Sequence, residues 1–204
     1  MRFLVLLAFA CSTSPPPSGK DLVVQAGPSG EAAVDAAGQA QAPVHLNQAE
    51  DKAAQDMARF AFPCCATPGL TALGQATVAL QDRLAADDGP GAQLALTRVI
   101  AAADQAAAEA PLPEADRARA AAIATGSRGL EGRDLAGIRG GLASLNVLVL
   151  QLLRDHPGGE QRVVAAFCPM APGHWLQDAP AIRNPYYGAD MLTCGTLEAV
   201  AEVR

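Results

Sequence analysis

From Val44 onward, apolar residues recur at intervals of three and four, the spacing that lines one face of an α-helix. A first helix is expected over Asn47–Phe62, with Met57 and Phe60 on its apolar side and Glu50, Asp51 and Lys52 outside. Pro63-Cys64-Cys65 interrupts it. Thr67-Pro68 then opens a second helix, because the hydroxyl can accept from exposed N–H groups while proline fits the first turn. Leu70, Leu73, Thr77, Leu80 and Leu84 form its stripe, and Asp87-Asp88-Gly89-Pro90 closes it. A third helix over Gln93–Glu109 turns Leu96, Val99, Ile100 and Ala103 inward and stops at Pro111-Leu112-Pro113. A shorter one runs from Glu114 to about Thr125, before the turn Gly126-Ser127-Arg128-Gly129. The clearest stripe follows at Leu135, Ile138, Leu142, Leu145, Val149 and Leu152, and His156-Pro157-Gly158-Gly159 ends it. The simplest architecture that buries such stripes through short connections is an all-α antiparallel bundle of about four helices.

Beyond the bundle the period changes. Arg162-Val163-Val164-Ala165-Ala166-Phe167 is β-prone and leads directly into Cys168. If the segment from Leu192 to Val200 pairs with it as a short hairpin, the two chain passes bring Cys168 and Cys194 together. Asn184-Pro185 and Gly188 supply turn chemistry between them. Residues 12–43, with Pro15-Pro16-Pro17 and much Ser, Gly, Ala and Gln, carry no apolar period to bury and read as a disordered tether. The domain organisation is therefore 1–11 as a leader, 12–43 as a spacer and 44–204 as the folded unit.

Composition supports that outline. The chain of 204 residues is 50% hydrophobic but only 4% aromatic. Alanine supplies much of the apolar share and favours closely packed helices. A net charge of −6 offers no basic field to nucleic acid, which is excluded as a partner. Met1 to Cys11 combine one cation, a short apolar run and a small residue before cysteine, the form of an export signal and too short to span a bilayer. This segment also resembles the signal of bacterial lipoproteins, which implies lipidation at Cys11, a membrane anchor and a place in the cell envelope. Ser12 after the cysteine resembles lipoproteins sent to the outer membrane. Phe9 and Ala8 depart from that motif, so simple secretion to the periplasm stays open.

Two sulfur-bearing segments, Cys168-Pro169-Met170 and Met191-Leu192-Thr193-Cys194-Gly195, mirror each other across a loop dense in Trp, Pro, Asn and Tyr. Thiolates with thioethers are the ligand set that favours Cu(I), whereas zinc sites pair thiolate with imidazole. The candidate ligands are Cys168, Met170, Met191 and Cys194, with His174 beside them. The bland reading is equally concrete. In an oxidising compartment Cys168 and Cys194 close a disulfide, and Cys64 and Cys65 are available to pair with them or with each other, since four cysteines allow three connectivities. Trp175 reads as a packing anchor, Tyr186 and Tyr187 as a lid with paired hydroxyls, and His45 and His156 as solvated. No nucleophile elbow, His-Glu-x-x-His, phosphate-binding glycine loop or two-residue-spaced dithiol occurs, so no enzyme is expected.

The stretch from Cys168 to Gly195, with its Cys-Pro-Met, Trp175-Leu176, Ile182-Arg183-Asn184-Pro185-Tyr186-Tyr187-Gly188 and Met191-Leu192-Thr193-Cys194-Gly195, resembles a bacterial domain family of unassigned function. Members of that family occur as exported single-domain proteins and as C-terminal extensions of CusB-type adaptors of copper and silver efflux systems. Leu80 to Asp88 is similar to the family's first helix, so the likeness covers roughly residues 67 to 197. The resemblance implies copper handling through Cys168, Met170, Met191 and Cys194, with an efflux adaptor or another envelope protein as partner. This chain departs from the pattern in its shorter Ala171-Pro172-Gly173-His174, which sets an imidazole beside the sulfurs. Cys64-Cys65 lies outside the signature. The expected function is an exported Cu(I) or Ag(I) binding protein for sequestration or handover. The other reading is an envelope interaction module rigidified by a disulfide.

Overall fold

The structure, a computed structural model, describes residues 44–200, with side chains from residue 51. The leader with Cys11 and the spacer 12–43 lie outside the described residues. The chain divides after Gln41, and the unit from Ala42 onward is the one described here. Its helices are α1 (Val44–Phe60), α2 (Pro68–Ala85), α3 (Gly89–Ala108), α4 (Glu114–Arg128) and α5 (Leu135–Asp155). Its strands are β1 (Phe62–Cys64), β2 (Gln161–Phe167), β3 (Trp175–Gln177) and β4 (Thr196–Glu198).

The helix starts follow their caps. Leu70 N–H donates to Thr67 Oγ1 over 3.3 Å, Gly91 N–H to Asp88 Oδ1 over 2.9 Å and Gly137 N–H to Asp134 Oδ1 over 2.8 Å, each satisfying a donor the helix cannot use internally. Asp88 also corrects one expectation. The Asp-Asp-Gly-Pro segment ends α2 and begins α3 at Gly89, four residues before the expected start, because Asp88 caps and Pro90 fits the first turn. Helices α2, α3, α4 and α5 pack in sequence order, and α2 and α5 also meet β3. Leu70, Leu73, Leu80, Leu84, Leu96, Val99, Ile123, Leu142, Val149 and Leu152 are fully enclosed between them. Helix α5 has the length and apolarity of a membrane span, but its stripe faces α4, α2 and β3 inside the domain.

The all-α expectation is overturned: a four-stranded antiparallel sheet stands beside the helices, and the fold is mixed α and β. Strand β2 is its hub. Phe62, Pro63 and Cys64 pair with Val163, Arg162 and Gln161, Trp175 and Leu176 with Ala166 and Ala165, and Leu197 and Thr196 with Ala166 and Phe167. Val163 to Ala166 are therefore enclosed on both faces and carry no alternation of apolar and polar residues. The other three strands are three residues each, too short to leave a period of two in the sequence.

Candidate metal and disulfide site

The end of β2 delivers Cys168, and a tight turn follows it at once: Ala171 N–H donates to Cys168 O over 2.9 Å. A second tight turn precedes the other cysteine, with Cys194 N–H donating to Met191 O over 3.0 Å. Each Cys–Met pair thus occupies one turn. The antiparallel register of β4 on β2, with Thr196 opposite Phe167, then sets the two cysteines side by side with Cα atoms 5.9 Å apart. They are joined as a disulfide. Cys168 is fully enclosed, at 0% exposure. Cys194 is half-buried.

Backbone bonds hold this corner independently of the sulfurs. Asn184 is fully buried. Its Nδ2 donates to Cys194 O over 3.1 Å, its Oδ1 accepts from Tyr186 N–H at 2.9 Å, and its own N–H donates to Leu192 O over 2.7 Å. Such an asparagine satisfies backbone groups that irregular structure would otherwise orphan. Gly195, at φ +143°, lets the chain turn close to the indole: a Cβ there would lie 2.7 Å from the Trp175 ring and 3.0 Å from Phe167 O. Trp175 is fully enclosed, donates from Nε1 to Gln177 Oε1 over 3.0 Å and meets Tyr186 edge-on at 6.3 Å. It anchors packing; it does not face an open cation site.

A buried polar relay ties the site to the helices. Gln81 Nε2 donates to Asn146 Oδ1 over 2.7 Å, and Leu176 N–H donates to Gln81 Oε1 over 2.8 Å. Asn146 Nδ2 donates to His174 O over 2.8 Å, and Tyr186 Oη donates to the same carbonyl over 2.9 Å. Burial pushes the Tyr186 phenol up to about 12, so it is a neutral donor at ordinary pH. Gln81 and Asn146 are polar residues inside apolar stripes, beside Leu80 and Leu145, and that interruption was the signal for them in the sequence.

The remaining predicted ligands are less convergent. Met170 is 66% exposed at its turn, and its carbonyl accepts from the Tyr187 hydroxyl. Met191 is half-buried against the core. His174 Nε2 shares a hydrogen with Glu198 Oε2 at 3.0 Å, and its ring lies on Phe167 with centroids 4.8 Å apart. Among the described residues no group of three or more His, Cys, Asp or Glu is placed to hold a metal ion. A sulfur bonded to sulfur is not a thiolate, so with the Cys168–Cys194 bond closed neither cysteine can serve as a thiolate ligand.

Cys64 and Cys65 pair with each other across a cis peptide bond rather than with the C-terminal cysteines. They are 0% and 3% exposed. Thr71 Oγ1 donates to Cys65 O over 3.3 Å, and a Cβ on Gly159 would lie 2.7 Å from that same carbonyl, so the turn after α5 closes directly over the pair.

One placement differs from expectation, and one gains partners that the sequence did not suggest. His156 is not solvated: its Nε2 sits 2.9 Å from Asp116 Oδ2, and both side chains are largely enclosed. Asp87 is an exposed turn residue that also has partners. It stands at φ +56°, accepts from Arg139 and from Ala189 N–H over 2.9 Å, and so clasps the 3-10 turn Gly188–Met191 that leads to Cys194. The hydrogen bond from Arg139, then that from Ala189, holds its carboxyl below the usual range. No family model, curated protein or solved structure matches the chain.

Proposed function

We propose that this domain is an exported, lipid-anchored carrier that captures Cu(I), or Ag(I) as its mimic, for sequestration or handover to an efflux partner. The likeness of residues 168–195 to the Cys-Pro-Met family is part of this proposal. One observation carries it: strand pairing delivers Cys168 and Cys194 with Cα atoms 5.9 Å apart, each sharing a tight turn with a methionine. In the reduced state the two thiolates form a soft pair, Met191 adds a thioether from the half-buried side, and Met170 offers one from solvent. His174, already oriented by Glu198, stands next along the chain. Transfer of the ion proceeds by ligand exchange, and the exposed Met170 is the first contact for a donor or acceptor. No catalytic step is involved.

The test is an anaerobic Cu(I) titration of the reduced full-length protein against a chromophoric chelator. The expected result is one equivalent held in competition, lost in the C168S/C194S variant and weakened in M170L/M191L. Failure of the reduced wild-type protein to compete overturns the reading. A second reading is favoured by the closed state of the sulfur pair: a docking module for an envelope partner, locked by its disulfide. It expects M170L/M191L to be silent and partner capture to require the oxidised form.

A further inference from the structure

We propose that Cys194 is the sulfur through which an external dithiol opens the Cys168–Cys194 bond, and that the Cys64–Cys65 bond stays closed under the same conditions. This rests on the metal-carrier reading, because opening that bond is what creates its thiolates. Thiol–disulfide exchange needs a thiolate to approach along a disulfide sulfur, so access decides which sulfur is attacked. Cys168 is enclosed within the core, whereas Cys194 lies on the half-buried turn after Met191. A buried thiolate is the poorer leaving group, which alone would favour attack at Cys168. No nucleophile reaches that sulfur, however, without opening the fold.

The exchange runs in two steps. A donor thiolate attacks Cys194 Sγ, forming a new S–S bond while the Sγ–Sγ bond breaks, and the electron pair leaves on Cys168, which takes up a proton. The donor's second thiol then attacks its own sulfur in the mixed disulfide and releases Cys194. Two electrons and two protons have passed to the protein, and the donor has become a disulfide.

The architecture makes this opening reversible. The pairing of Thr196 with Phe167, the Asn184 bond to Cys194 O and the Cys194 bond to Met191 O all persist when the sulfurs part. The two thiols therefore remain neighbours. At the other site, both cysteines lie beneath the Gly159 turn with no exposed sulfur-bearing residue to attack.

Reduced glutathione serves as the probe, because its mixed disulfide marks the attacked sulfur and rapid acid quenching traps it before a second glutathione or the freed Cys168 thiol displaces it. Full-length oxidised protein is exposed to it, quenched in acid, alkylated and mapped by peptide mass spectrometry. The expected products carry glutathione on Cys194 and alkyl on Cys168, with the Cys64–Cys65 peptide still closed and opening on the order of tenfold slower or more. Glutathione on Cys168, equal opening of both disulfides, or no opening before global unfolding each overturns the proposal. The readout contains no metal, so a protein that exchanges at Cys194 yet fails to hold Cu(I) refutes the carrier reading alone.

Discussion

Both disulfides border the same strand. Cys64 pairs with the first residue of β2, Gln161, and Cys168 follows its last, Phe167. At the first end two adjacent residues are joined and the chain closes over them, so the bond constrains almost no loop in the unfolded chain. At the other end the bond spans 26 residues and one partner reaches the surface layer. The same chemistry thus yields a sealed pair at one end and an addressable pair at the other. Burial and chain separation make the difference, not the identity of the residues.

The contrast can be broken most forcefully at Trp175. Trp175→Ala empties the enclosed space between Phe167 and Gly195 and is expected to cost about 3–5 kcal/mol in urea unfolding. In the same variant the packing around the Gly195 turn loosens, so glutathione labelling should spread from Cys194 to both sulfurs. Next in size is the loss of the long-range bond itself. C168A/C194A should lose about 3–4 kcal/mol through the freed unfolded chain, while C64A/C65A should lose less because no loop is released. Paired denaturation curves check the ordering. Asn184→Ala leaves Cys194 O and Tyr186 N–H without their partner and should cost about 1–3 kcal/mol. Its sharper readout is a weaker Cu(I) competition by the reduced protein, since Cys194 is no longer held in place.

The smallest effect belongs to Asp87→Asn, which keeps a residue tolerant of positive φ but removes the carboxylate that clasps Arg139 and Ala189. The folded-state pKa of Asp87 is lowered from 3.8, so its contribution is present above that value and is lost as pH falls through the folded one. Thermal melts of wild type and D87N should therefore differ near neutrality and converge in strong acid.

The helical part of this fold was legible because α2 and α5 carry long stripes and capped starts. The pairing of the 192–200 segment with the strand before Cys168 was also legible, from a β-prone run facing a second one across turn residues. The sheet as a whole was not. Phe62-Pro63-Cys64 looked like a helix ending because proline and paired cysteines mask a three-residue strand, and β3 lies inside an apparent loop. The clasp of Asp87 on Arg139 and Ala189 was not legible because both partners are far away in sequence. The same distance concealed the bond between His174 and Glu198.

The pairing of β1 with β2 has a consequence for the order of assembly. Pro63 must find Arg162 across the entire helical layer, whereas α2, α3 and α4 each pack against the next segment along the chain. Contacts of such long sequence range are slow to close. The chain therefore builds its helices first and docks its sheet last, and Cys64 and Cys65 stay apart from Cys168 and Cys194 until then. An oxidant that arrives early meets a chain able to join the wrong sulfurs, so the timing of oxidation, as much as its extent, decides how much native protein is made.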